Sequence, residues 1–313
     1  MGKSDLLIIM YHYVHNTSNF RFNVKALDSK EFEYQLNVIS KHRTIITPDD
    51  FFCFVNERKT LPSNPCLLTF DDGYEGNYSV VFPILKKYNL SALFFPVTTA
   101  VIHKELLLVN AIQIILSMTD NTQLLLSQIK SYATSAGITN KDFNNIVSQI
   151  DFVSRYDDKE TTIIKRLFHY AFEDTVAREI SEKLFSQYLN LSTRDIADKF
   201  YLSRQQISEM SAEGMHFGMH SNRHVRLDRL SLDQQKLELV ASKSFLQSIG
   251  QHDHQLSIAF PFGRYNEHTL SLLEQLNVKV GFTARDGFAE IQERRFLELP
   301  RIDAVEIDKM MTG

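Results

Sequence analysis

The chain has 313 residues, 43% of them apolar, and carries 34 Lys plus Arg against 38 Asp plus Glu. That is enough apolar material for a sizeable core, and there is no surplus of positive charge to meet a phosphate backbone, so a folded protein that does not bind nucleic acid is expected. Only Cys53 and Cys66 are present, without CxxC spacing, which argues against a disulfide framework or a thiolate metal site.

The N-terminus has a brief apolar run, Leu6 to Met10, that leads into Tyr-His-Tyr with no small-residue cleavage site. It reads as a buried strand. No stretch approaches the roughly 20 apolar residues of a membrane span, so a reduced, cytoplasmic protein without a transmembrane segment is the expectation. Further short β-rich runs follow at Cys66–Phe70, Ala92–Val97, Met215–Met219, Ser257–Phe260 and Val278–Thr283. Several are almost wholly apolar, as in strands covered on both faces. Helical periodicity lies between them at Ser29–Lys41, Ser79–Tyr88, Asp233–Ile249 and Glu267–Leu276, so the alternation predicts an α/β fold. Residues 104–206 differ in texture, with helix-period runs such as Ile112-Ile115-Leu116 and almost no strand signal. The division is therefore 1–103 with 207–313 as the α/β part and 104–206 as a helical insertion, expected beside or over the barrel mouth and available to shape substrate or an oligomer contact. Within it, Arg155–Lys159 reads as a solvated loop.

Five segments carry side chains suited to chemistry. Leu67 to Tyr74 runs an apolar strand into Asp71-Asp72-Gly73, and strand C-termini are where α/β barrels place catalytic groups. Neighbouring side chains on a strand point oppositely, so one acid can hold a metal while the other handles protons; a polar Asp-Gly turn is the competing reading. A second strand ends in His220-Ser221-Asn222-Arg223-His224, where a four-residue spacing can aim two imidazoles at one ion. Two imidazoles and a carboxylate would suit zinc or another transition ion with open positions. Pro261-Phe262-Gly263 suggests a fixed turn able to present an N–H to an oxyanion, or a structural turn. Arg301, in Leu297 to Ile302, can orient a carboxylate or form a surface pair, and His12 ends the first strand facing the same mouth.

Taken together, these residues resemble the polysaccharide deacetylases, also called the NodB-homology domain or carbohydrate esterase family four. Thr69 to Gly73 matches the family's Thr-Phe-Asp-Asp-Gly, and Gly214 through His224 matches Gly-x-x-x-Gly-x-His-Ser/Thr-x-x-His. The resemblance covers about residues 5–103 and 207–303. It implies a distorted (β/α)7 barrel, Asp71 as catalytic base, and Asp72, His220 and His224 as ligands of one divalent metal: zinc first, with cobalt, nickel, iron or manganese as alternatives. Two departures stand out. The arginine that usually precedes the Pro-aromatic pair is absent, since Ser257 to Phe260 occupy its place, and the usual Leu-x-His is replaced by Leu299-Pro300-Arg301. The orienting role passes in this reading to Arg301 or Arg223.

Met10-Tyr11-His12-Tyr13-Val14 and Leu299 to Ile302 both resemble the branch of poly-N-acetylglucosamine deacetylases and surface-polysaccharide proteins. There His12 is expected to supply protons or bind substrate, with a structural histidine as the alternative, and the Phe262 N–H is expected to hold the oxyanion. Tyr74, Pro261 and Phe262 are read as substrate contacts. The expected activity is removal of an N-acyl group, acetyl first, from an amino-sugar-containing saccharide or a nucleotide- or lipid-linked sugar. A catalytically impaired saccharide-binding or assembly protein is the alternative, and a non-haem iron oxygenase a distant third.

Overall fold

Strand β1 (Asp5–Tyr11) shows how the core is built, because Leu6, Leu7, Ile8 and Ile9 are all fully buried yet divide between two apolar clusters. Leu7, Ile9 and Tyr11 pack with Phe32, Leu36 and Ile39 of the helix Ser29–His42, while Leu6 and Ile8 pack with Leu67, Leu93, Phe95, Ala259, Val280 and Phe282 from the other strands. Alternating residues thus face an outer helical layer and the inside of a ring of strands, which is why the run is continuously apolar. In this computed structural model, residues 5–16, 26–150, 157–291 and 295–307 are described.

The ring can be followed strand by strand. Strand β2 (Pro65–Asp72) pairs in parallel with β1 from Leu7↔Cys66 to Tyr11↔Phe70, and with β3 (Leu93–Pro96) from Thr69↔Leu93 to Asp72↔Pro96. Strand β4 (His216–Phe217) pairs with β3, and the segment continues to a Met219↔Ile258 bridge onto β5 (Ser257–Ala259). Strand β5 pairs with β6 (Val280–Phe282), a Phe282↔Leu299 bridge leads on, and β7 (Ile302–Asp303) returns to β1 at Ile9↔Ile302. Among the described residues the parallel pairing therefore passes through seven segments and closes on itself, the barrel that the sequence implies. The last strand begins two residues beyond Pro300, a residue that lacks an N–H for the ladder.

The six apolar runs all contain strands, and the expected helices lie at Ser29–His42, Phe82–Lys87, Leu232–Ser248 and Glu267–Gln275. A π-helical turn, Asn77–Val81, leads into the second of these. A helix absent from the sequence reading, Pro48–Val55, puts Phe51, Phe52 and Val55 into the interior cluster at the N-terminal end of the strands. Its start is encoded by Thr47, whose side chain accepts from the Asp50 N–H, and by Pro48 in the first turn.

Chain contacts divide the molecule into one unit of Met1–Asn19, Ala26–Lys104 and Phe200–Gly313, and a second that includes Glu105–Lys199. Residues 200–206 fall with the first, and Leu202 lies in its outer apolar cluster. The second unit contains the helices Leu108–Ser117, Thr122–Ser135, Asn140–Ser148, Lys159–Arg166 and Asp174–Leu189, whose buried faces include Ile112, Ile115, Ile129, Ile164, Ile180 and Leu184. Of the loop expected at 155–159, residues 155 and 156 lie outside the described residues; Asp157 pairs with Lys165, and Asp158 caps the helix Lys159–Arg166. No described helix is long and apolar enough to cross a membrane.

Candidate metal centre and catalytic site

Strand β2 delivers two acids to the C-terminal rim by different routes. Alternation turns Leu67, Thr69 and Asp71 to one face, and Asp71 reaches the top of the barrel interior 2% exposed. There Arg301, equally buried, donates from Nη1 to Asp71 Oδ1 at 2.8 Å and from Nη2 to Oδ2 at 2.7 Å. The same guanidinium donates from Nε to the Thr283 carbonyl at 3.0 Å and from Nη1 to Thr69 Oγ1 at 3.2 Å, so it is fixed by three neighbouring groups. Burial alone would raise the Asp71 pKa, but the Arg301 charge, with help from His220 and His12, holds the carboxyl below its ordinary range. Of the two arginines considered for orienting this acid, Arg301 meets it. Arg223 instead donates to Glu238 at 2.7 Å.

One residue later the strand breaks. Asp72 has φ +68°, followed by Gly73 at +73°, where a Cβ would lie 2.6 Å from the Cβ of Pro96. A left-handed residue followed by an obligatory glycine swings the second carboxylate out of the strand alternation. The Asp72 side chain is also buried, and its oxygens have different surroundings. Oδ2 accepts the Tyr74 hydroxyl at 2.5 Å, whereas Oδ1 receives no hydrogen bond.

The histidines converge on that bare oxygen. His220 Nε2 stands 3.2 Å and His224 Nε2 3.3 Å from Asp72 Oδ1. His220 Nδ1 lies 2.8 Å from the Ala259 carbonyl, which can only accept; Nδ1 therefore carries the proton, and in the neutral ring Nε2 presents a lone pair. Burial pushes the His224 pKa down to about 4, so this ring is neutral, whereas at His220 the Asp72 and Asp71 carboxylates outweigh burial and raise the pKa. The loop bearing both rings is itself braced. Ser221 (φ +59°) accepts the His224 N–H at 3.0 Å, and Glu238, 3% exposed, accepts the N–H groups of Asn222 and Arg223, each at 2.9 Å.

One ligand atom from each of Asp72, His220 and His224 lies within 4.8 Å of the others. An orphaned anionic oxygen facing two imidazole nitrogens in a dry interior calls for a cation between them, a proton on His220 or a metal ion. The residues present therefore fit a divalent ion, and the borderline-soft N₂O set suits zinc and its neighbours in the transition series.

The remaining expected residues border this centre. Pro261 is buried and Phe262 half-buried; Phe262 takes φ +57°, and its ring lies 4.7 Å from that of His224, which brings the turn against this histidine. His12, with its side chain 39% exposed, places Nε2 4.0 Å from Asp71 Oδ2. Tyr74 lies less openly than a substrate contact should. It is 4% exposed, its hydroxyl is turned to Asp72, and its ring is stacked 3.9 Å from Tyr13. The sequence reading missed Glu238 and Thr69. Glu238 carries no local signal, since it lies in a helix rich in polar residues, and Thr69, though it opens the Thr-Phe-Asp-Asp-Gly motif, reads there as part of a strand.

The family described as polysaccharide deacetylase matches residues 58–151 and 177–281. Over 288 residues the chain is 22% identical to YxkH of Bacillus subtilis (strain 168), provisionally named a polysaccharide deacetylase, a match that covers 91% of this chain and 67% of that one. Among solved structures, the fold is shared with the Streptococcus pyogenes deacetylase PplD in complex with acetate, at a TM-score of 0.59 and 20% identity over 99% of this chain and 98% of that one. It is shared also with IcaB from Ammonifex degensii, at a TM-score of 0.56 and 17% identity over 99% and 96%.

Proposed function

Because the chain belongs to the polysaccharide deacetylase family, and so is a hydrolase of the N-deacetylase type, we propose that it removes an N-acyl group, acetyl first, from an amino-sugar-containing saccharide in surface-polysaccharide biosynthesis. Asp72, His220 and His224 would hold one divalent metal, and Asp71 would act as base. The observation that carries this reading is the bare, buried Asp72 Oδ1 facing two imidazole nitrogens, directly beside an acid gripped by Arg301. When bound, a zinc-type ion supplies Lewis acidity to the amide carbonyl and lowers the pKa of water from 15.7 toward about 7.

Each protein group has a definable share of the work. Arg301 occupies one lone pair on each oxygen of Asp71 and leaves the others to accept the proton of the attacking water. The same contact keeps Asp71 ionised through the neutral range, at some loss of basicity. His12, 4.0 Å from Asp71 and open to solvent, would return a proton to the departing amine. The Phe262 N–H would steady the oxyanion from a turn already set against His224. Acetate and a free amine result. The binding-only alternative rests on two departures, the missing Leu-x-His acid and the missing orienting arginine, and the contact of Arg301 with Asp71 speaks against the second.

The test is acetate release from N-acetylglucosamine oligosaccharides by the metal-loaded protein, with formate release scored alongside. Asp71→Asn should keep its metal and lose about 10²–10⁴-fold in kcat. Full activity in that variant would overturn the assignment.

A further inference from the structure

We propose that Tyr74 is a positioning residue that makes Asp72 a one-oxygen metal ligand. The inference rests on the metal reading above and goes beyond it, since the phenol would set how the carboxylate binds. A carboxylate can offer a metal one oxygen or both. Here Oδ2 accepts the Tyr74 hydroxyl at 2.5 Å, while Oδ1 alone is turned toward His220 Nε2 and His224 Nε2. Both residues are buried, and the phenol is the described hydrogen-bond donor to Oδ2.

The phenol is held from outside the centre. Residues Tyr74 and Tyr201 form an antiparallel bridge, flanked by the Leu202 N–H donating to the Gly73 carbonyl and the Glu75 N–H donating to the Phe200 carbonyl, both at 2.9 Å. The ring lies between Tyr13, stacked at 3.9 Å and 16°, and Tyr201, at 5.9 Å and 21°, with Phe200 edge-on at 5.5 Å. An aromatic ring packed on two faces and an edge has little freedom to withdraw its hydroxyl. The turn after the two acids is thus built to present one donor to one oxygen, as outer partners of metal ligands commonly do.

The experiment is a Co²⁺ titration of the metal-free wild type and of Tyr74→Phe, which keeps the ring and deletes the donor. The readouts are affinity and the d–d absorption bands of the bound ion, with thermal melting of both metal-free proteins as the check on folding. Wild type should bind one equivalent. Tyr74→Phe should bind about 10- to 100-fold more weakly, with shifted bands as Oδ2 becomes free to join the ion. Unchanged affinity and bands in a folded Tyr74→Phe would overturn the role of Tyr74 while leaving the metal reading intact. A wild type that binds neither Co²⁺ nor Zn²⁺ would overturn the metal reading itself, and this inference with it. Should Tyr74→Phe not fold, a crystal structure of zinc-loaded wild type decides: one Asp72 oxygen on the ion with the phenol on the other supports the inference, and both oxygens on the ion overturns it.

Discussion

His216 and His220 lie four residues apart on one segment of the barrel, and each stands close to an aspartate: His216 Nε2 is 3.4 Å from Asp49 Oδ1, and His220 Nε2 is 3.2 Å from Asp72 Oδ1. By distance the two pairs are nearly equivalent. Their surroundings differ. Asp49 has its side chain 67% exposed, and its Oδ1 already accepts the Gln255 amide at 2.8 Å. Asp72 Oδ1 is buried and accepts nothing, a second imidazole faces it, and His220 is locked from behind by the Ala259 carbonyl. The backbone agrees. At the mouth, positive φ falls on Asp72, Ser221, His224 and Phe262, whereas at the other end it falls on Asn64 and Asn277, which tolerate it, and on Glu57 just beyond a helix end. A histidine–aspartate pair becomes a candidate metal centre through unmet electron pairs in a dry, strained setting, and proximity alone does not make one.

The largest expected effect follows from removing that unmet charge. Asp72→Asn should abolish stoichiometric metal binding and bring acetate release to background, read by metal analysis of the purified protein beside the activity assay. If the variant retained one equivalent of metal at wild-type affinity, the contrast between the two pairs would lose its meaning.

Next comes Arg301→Met, which leaves Asp71 buried without its counter-charge. Breaking one half of a buried pair costs about 3–5 kcal/mol, and the loss should be visible in denaturant unfolding together with a fall in kcat. This pairing was only half legible, because the sequence left Arg301 and Arg223 as alternatives for it. The two histidines and two acids announce themselves because they are local motifs at the ends of apolar runs, and the run at β1 gave away its double burial. The contact from Arg301 to Asp71 joins residues 230 positions apart, so spacing along the chain does not choose between the two arginines. Glu238 was hidden for another reason: Asp233, Gln234, Gln235, Lys236 and Glu238 look alike on a polar helix, and only the fold turns Glu238 and Gln235 inward. The helix Pro48–Val55 was legible in principle from Thr47-Pro48, yet its eight residues are too few for a clear apolar period.

Glu238→Gln should have a smaller effect. It keeps the shape but weakens acceptance from the N–H groups of Asn222 and Arg223 and removes the charge partner of Arg223. A loss of about 1–3 kcal/mol in unfolding free energy is expected, with weaker metal binding because the loop carrying His220 and His224 loosens. Stability reduced with metal affinity unchanged would show that Glu238 braces the fold and leaves the ligands where they were.

The smallest effect is expected at the opposite end of the strand, from Asp49→Asn. This change removes the charge beside His216 but leaves an amide oxygen able to accept from Gln255. Because the Asp49 side chain is mostly in solvent, the ion pair is screened and its oxygen can be hydrated, so unfolding free energy should move by no more than about 0.5 kcal/mol. His216, whose pKa is already lowered by burial against the pull of Asp49, should titrate lower still without it. An NMR titration of the His216 ring would register that shift, while metal content and kcat stay at wild-type values. Loss of metal or of turnover in Asp49→Asn would mean that the two ends of the barrel are coupled and that burial alone does not separate them.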